Sequence, residues 1–155
     1  MTLAQFQAFV AQNEEWFVGV YPETLVALLS AERQLGCTLP ASLKWLLSER
    51  GYSSACGIGS LEDAVETTLR VRQVLKLPTR YVILNDWGDS GVVYLDSAEA
   101  DGNGEYQVYW SATHNINRLA EGEPPDGDVD RYDDYPAWVV DRLEDAVTEA
   151  EHVAV

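Results

Sequence analysis

Cysteine, histidine and basic side chains are all scarce in this chain, and each shortage removes a class of function. Two cysteines, Cys37 and Cys56, among 155 residues are too few for a disulfide framework. A reduced pair is the default reading, with one bridge between them left open. The opening Met1-Thr2-Leu3-Ala4-Gln5 lacks the basic stretch, apolar core and cleavage site of a signal peptide. No apolar run approaches the roughly 20 residues that cross a bilayer. A cytoplasmic protein with no membrane partner is therefore expected. His114 and His152 show no paired spacing with the cysteines of the kind zinc uses, so no metal or other cofactor is expected. Ten Lys+Arg stand against 26 Asp+Glu, a formal charge of −16. Phosphate recognition needs a basic surface, which disfavours direct nucleic-acid binding.

What is present is acid, and it is unevenly placed. Residues 86 to 155 hold 18 of the 26 acids but three of the ten basic residues, a net of −15, which leaves residues 1 to 85 at −1. Crowded carboxylates repel one another in the compact state, so a field of this size gives up stability. Solubility is one explanation for it, and steering towards a basic partner is the other. The hydrophobic content of 46% and five tryptophans supply a core, so acidity here does not mean disorder. At this length the chain is most simply one domain spanning residues 1 to 155.

The pattern predicts helices first, strands in the middle and a helix at the end. Thr2 to Phe17 carries Leu3, Phe6, Phe9 and Val10 at helical spacing, and Thr2 with Gln5 has the form of a capping box. A second helix places Pro22 in its first turn, aligns Leu25, Leu28, Leu29 and Leu35, and stops at Gly36. A third runs from Pro40 with Leu43, Leu46 and Leu47 on one side and ends at Gly51. Ser60 and Asp63 cap a fourth, in which Leu61, Val65, Leu69 and Leu75 line the core until Pro78. Tyr81 to Leu84 and Val92 to Leu95 read as a hairpin, and the turn Asp101-Gly102-Asn103-Gly104 leads to a third strand, Tyr106 to Trp110. Residues 120 to 134 combine Gly and Pro breakers with seven acids and read as a solvated loop. A last helix follows Pro136 to about Ala150, burying Val140, Leu143 and Val147. The expected class is α+β, an antiparallel meander flanked by N-terminal helices and a C-terminal helix.

Catalytic motifs do not survive inspection. Gly88-Asp89-Ser90-Gly91 looks like the surroundings of a serine nucleophile, but both histidines lie downstream of it and the chain is too short for the paired barrels such proteases use. No basic residue lies within several positions of Cys56 in the sequence to activate it as a nucleophile with His114. Asp126, Asp128 and Asp130 match the first three ligand positions of an EF-hand, but Arg131 and Ala137 occupy the places that require Gly and Glu. Gly57-Ile58-Gly59 lacks the third glycine of a dinucleotide loop, with Glu62 in its place. Adjacent Asp133 and Asp134 do not fix the separation a glycosidase needs. The chain is not expected to be an enzyme.

The stretch from Glu32 to Leu46, with Glu32, Leu35, Gly36, Leu39, Pro40, Trp45 and Leu46, resembles the N-terminal signature of the SUKH superfamily (Smi/Knr-like). The resemblance continues through Asp86-Trp87-Gly88-Asp89, Tyr94-Leu95-Asp96 and Tyr135-Pro136-Ala137-Trp138, spanning about residues 22 to 148. The chain departs from the pattern at Leu43, at Glu49-Arg50-Gly51 and in the acidic stretch before the last helix. The resemblance implies an immunity protein of a bacterial toxin system, which binds a cognate toxin domain, often a nuclease, without catalysing anything. A basic nuclease cleft would draw in a carboxylate-rich surface, with aromatic anchors giving specificity. The candidate partner-binding residues are Tyr132 and Tyr135 amid Asp126, Asp128, Asp130, Asp133 and Asp134, with Trp87 amid Asp86 and Asp89. Each aromatic has a core reading as well, with Tyr132 the one expected to be exposed. The alternative class is a regulatory or scaffold interaction module of the same fold.

Overall fold

The computed structural model describes residues 1–153, and its class is α+β. Helix α1, Leu3–Gln12, starts with the expected capping box: the Thr2 side chain accepts from Gln5 N, and Gln5 reaches back to Thr2 N at 2.8 Å. The helix is shorter than expected. Asn13 donates its side-chain amide to Phe9 O at 2.9 Å and ends the ladder, and a separate 3-10 turn, Glu14–Trp16, follows. Helix α2, Leu25–Leu35, is capped by Thr24 rather than begun by Pro22, and Gly36 ends it at φ 76°. Its buried side is Leu28, Ala31 and Leu35, while Leu25 and Leu29 face outward, so the expected stripe is rotated by this packing. Helix α3, Ala41–Glu49, buries Leu43, Leu46 and Leu47 as expected. In α4, Leu61–Leu75, Ser60 caps Asp63 N as expected and Leu61 and Val65 are buried. Leu69 and Leu75 are exposed there, because Thr68 rather than an apolar residue meets the sheet: its hydroxyl accepts from Ile83 N at 3.0 Å and donates to Ala64 O at 2.8 Å.

Strands β1 (Tyr81–Asp86), β2 (Val92–Ala100), β3 (Tyr106–Ser111) and β4 (Val129–Tyr132) form one antiparallel sheet in the order β1-β2-β3-β4. The hairpin and the third strand agree with expectation. Both faces of the sheet are covered, which is why Val82-Ile83-Leu84 and Val92 to Leu95 are continuous apolar runs rather than alternating ones. Val82, Leu84, Val93, Leu95 and Val108 face a core shared with α1, α3 and the last helix. Ile83, Val92 and Tyr94 face a second cluster closed by Leu77 and by Ile116 and Leu119 of α5, Asn115–Ala120.

One element corrects the reading of residues 120 to 134 as a loop. Helix α5 ends at Ala120, where that stretch begins, and within it β4 pairs Val129–Tyr132 with Ser111 to Val108. Strand pairing is made by backbone groups, so a stretch with charged side chains can join an edge where those charges reach water. The last helix, α6, spans Tyr135–Val153, with Trp138, Val139 and Leu143 buried and Val140 and Val147 partly so. Helix α4 packs on β1 and α2 on α4, whereas α6 contacts β3 and β4. Helices α2 and α4 thus attend the β1 edge of the sheet and α6 the β4 edge, with α3 in contact with α6.

Candidate functional site

The β1–β2 turn is built to hold one tryptophan at the surface. Asp86 Oδ1 accepts from Gly88 N at 2.8 Å, and Trp87 N donates to Gly91 O at 2.9 Å, so the turn closes on itself around Trp87, which is 37% exposed. The turn is also tied to β3 and to the segment that follows it. Thr113 Oγ1 donates to Gly88 O at 2.5 Å, and the Trp110 indole donates to Ser90 O at 3.1 Å. Gly91 sits at φ 98°, where a Cβ would stand 2.5 Å from each of three indole atoms of Trp110. The ring therefore lies flat on this glycine, and no larger residue fits between them.

Strand β4 and helix α6 supply the other wall. In the register, Asp130 is opposite Trp110 and Tyr132 opposite Val108. Tyr132 donates its hydroxyl to Asp141 Oδ2 at 2.8 Å, which joins β4 to α6. Burial and this bond to a carboxylate both push the Tyr132 pKa up. On α6, Trp138, Asp141, Arg142 and Asp145 recur at the spacing that puts them on one side of a helix. The Arg142 guanidinium stacks over two rings, 4.8 Å from the Trp138 centroid and 5.4 Å from that of Trp87. The two rings lie 6.4 Å apart. Arg142 Nη1 is buried with no hydrogen-bond partner, and burial lowers the pKa of the group, which stays cationic. Beneath them Gly57, at φ 80°, leaves room for the pair, since a Cβ there would lie 2.1 Å from Trp138 Cη2 and 2.5 Å from Arg142 Nη1.

The result is a concavity of about 400 Å³. Trp87, Trp110, Tyr132 and Trp138 supply its rings, and Asp130, Asp141 and Asp145 its carboxylates. A larger hollow of about 510 Å³ between α2 and α4 brings no aromatic ring with it. Of the residues singled out from sequence, the fold gathers Trp87, Asp130 and Tyr132 here, with Asp86 and Asp89 exposed on the adjoining turn and Asp128 and Asp133 exposed at the ends of β4. Tyr132 is half-buried rather than exposed.

Three other candidates belong elsewhere. Asp126 bonds His114 Nε2 at 2.5 Å, which holds its carboxyl below the ordinary range, and its backbone is clamped on both sides by the Asn115 amide at 2.9 Å. Tyr135 is a core residue at 0% exposure, and its hydroxyl donates to Cys56 O at 2.6 Å. It stands in the first turn of α6, whose inward side the core claims. Asp134 is 6% exposed, because it caps α6 by accepting from Ala137 N at 2.8 Å and contacts the Met1 amine at 3.3 Å. Neither is placed to meet a partner. Sequence reasoning missed Trp110, Asp141, Arg142 and Asp145 and did not place Trp138 in the site. The signal was the Trp138, Asp141, Arg142, Asp145 spacing on a helix already expected to exist.

Cations and hydrogen-bond donors are what this arrangement can bind. Cys56 is buried, with Sγ directed at Ile58 O at 3.4 Å, and Cys37 is half-buried; both are free thiols. Among the described residues no group of three or more His, Cys, Asp or Glu is placed to hold a metal ion, and no helix is long and apolar enough to cross a membrane. Comparison with curated proteins and with solved structures returns no match. A family model, described as the SMI1 / KNR4 family (SUKH-1), matches residues 22–124. That span contains the Trp87 turn and Trp110 but ends before β4 and α6, which carry the rest of the concavity.

Proposed function

The chain belongs to the SMI1 / KNR4 family (SUKH-1), and from that membership we propose that it is a cytoplasmic immunity protein that binds and neutralises a basic toxin domain, a nuclease by class, at the β4–α6 face. The family supplies the immunity role. The face supplies the chemistry, and the observation that carries it is the gathering of Trp87, Trp110, Tyr132 and Trp138 with Asp130, Asp141 and Asp145 around one concavity.

Two physical roles divide between these residues. The carboxylates of β4, α6 and the neighbouring turns form a field of one sign, which raises the encounter rate with a basic surface and discourages acidic ones. Trp87, Trp110 and Tyr132 supply contact area of low conformational freedom, the kind that dominates binding energy once water is excluded, and the buried Trp138 backs them. A nuclease cleft is lined with cations because its substrate is a polyanion. Seated on this face, the protein presents carboxylates where phosphates would lie and blocks access without a chemical step.

The test is protection. Cells making each basic nuclease toxin domain of the source genome are grown with and without the protein. Rescue of growth, together with recovery of a stoichiometric complex, supports the reading; equal killing by every such domain with and without the protein sinks it. One observation favours the scaffold alternative: Tyr21, Leu25 and Val26 are exposed apolar side chains outside the β4–α6 concavity, and steering by charge makes no use of them.

A further inference from the structure

Resting on the reading of the β4–α6 face as the partner interface, we propose that the concavity is a receptor for a single arginine side chain of the partner. The first reason is that its walls already hold a guanidinium. Arg142 lies over Trp87 and Trp138 at stacking distance, 5.4 and 4.8 Å from the ring centroids, and it is kept there by ring faces and by Gly57 behind it rather than by carboxylates. Its Nη1 has no acceptor.

The second reason is what Arg142 leaves unused. Among the described residues, none of Asp130, Asp141 or Asp145 makes an ion pair, although all three line the same hollow. Asp141 accepts one hydrogen bond, from Tyr132, which leaves acceptor capacity on both of its oxygens. Trp110 has Gly91 against one of its faces, and it lines the hollow opposite Asp130 in the strand register. A second cation entering here meets three carboxylates against the one charge of Arg142, so the local sign still favours it.

Shape selects arginine over lysine. A planar guanidinium stacks on an indole while its edge donates a fork of N–H groups to a carboxylate, whereas an ammonium is a compact, strongly hydrated point charge that gains less from stacking. A volume of about 400 Å³ admits one such side chain and its hydration, within the usual range of about 300 to 1,000 Å³ for a small-ligand pocket. An anionic side chain would gain Arg142 alone and face all three aspartates.

The probe is N-acetyl-arginine amide, titrated into the full chain at constant ionic strength while the five indole N–H signals are followed by NMR. The neutral isostere N-acetyl-citrulline amide and the acidic N-acetyl-glutamate amide serve as comparisons. The expected result is a saturable shift of the Trp87 and Trp110 signals at millimolar arginine, still Trp16 and Trp45 signals, and at least about tenfold weaker binding of citrulline. Asp130→Asn combined with Asp145→Asn, both at exposed positions, should weaken arginine about tenfold and leave citrulline unchanged. Equal binding of arginine and citrulline, preference for glutamate, or shifts spread over all five indoles would overturn the proposal, as would no saturable shift. Arginine binding in a protein that protects against no toxin keeps this inference and removes the interface reading. Protection with no arginine selectivity removes the inference alone.

Discussion

Replacing Gly57 by alanine should damage both the fold and the face it supports, and Gly36 provides the matched control. Both glycines have left-handed backbones, φ 80° and φ 76°, so alanine pays a similar conformational penalty at either position of about 1 kcal/mol net of the stiffer unfolded chain. They differ in surroundings. A Cβ at Gly36 meets nothing within 4 Å, whereas at Gly57 it would lie 2.1 and 2.4 Å from two Trp138 ring carbons and 2.5 Å from Arg142 Nη1. Overpacking of that kind adds about 1–3 kcal/mol, because a ring in a filled core cannot rotate away without moving its neighbours. Gly36→Ala should therefore cost about 1 kcal/mol and Gly57→Ala about 2–4, or very roughly 2–4 °C against 5–15 °C in melting temperature for a domain of this size. Urea unfolding followed by Trp fluorescence measures both. Because Trp138 and Arg142 lose their seat, Gly57→Ala should also disturb the Trp87 indole signal in the folded protein, which Gly36→Ala leaves in place. Equal losses for the two variants would refute the reasoning that the close approach of ring and backbone, and not the backbone angle, sets the requirement at Gly57.

Tyr135→Phe removes a fully buried hydroxyl and leaves Cys56 O without its donor at 2.6 Å, so denaturation should show a loss of about 1–2 kcal/mol while partner affinity is unchanged. Glu105 gives a pH prediction. It is buried, accepts from Ser42 N and Ser42 Oγ at 2.8 Å each, and burial outweighs those bonds to raise its pKa above the ordinary 4.5. The folded state then holds the proton more tightly than the unfolded one, so this residue's favourable contribution is full below about pH 4.5 and fades as pH rises from there through the raised folded value. Glu105→Gln should flatten stability over that window, as read from unfolding midpoints at several pH values; an unchanged slope would show that Glu105 is not the group responsible.

Much of the fold was legible because its signals are local. The Thr2 and Gln5 capping box, the Gly36 stop, the Leu43, Leu46 and Leu47 face and the hairpin around Gly88 each depend on residues a few positions apart, and each appears in the structure. Strand β4 was not legible, since its pairing with β3 is made by backbone across 17 or more residues and its side chains advertise solvent. Rotation of α2 and α4 was hidden for a related reason: a leucine such as Leu25 or Leu69 fits a stripe by spacing, yet which side is buried is set by the neighbour. For the site, chemistry in the sequence found Trp87, Asp130 and Tyr132 but grouped them with Asp134 and Tyr135, whose burial follows from the start of α6. Proximity in sequence stood in for proximity in space. Arg142 escaped notice because an isolated arginine in an acidic helix looks like a solvated charge, and only the stacked rings reveal its place.

The most direct test of the proposed immunity through this face is the salt dependence of association between the protein and whichever toxin domain the growth assay pairs with it, measured by stopped-flow for the wild type and for Asp130→Asn/Asp141→Asn/Asp145→Asn. The account predicts fast association that slows steeply as salt rises, a triple variant about tenfold or more slower at low salt, and convergence of the two at high salt. Association that ignores salt, or a triple variant indistinguishable from the wild type in both rate and affinity, would contradict it.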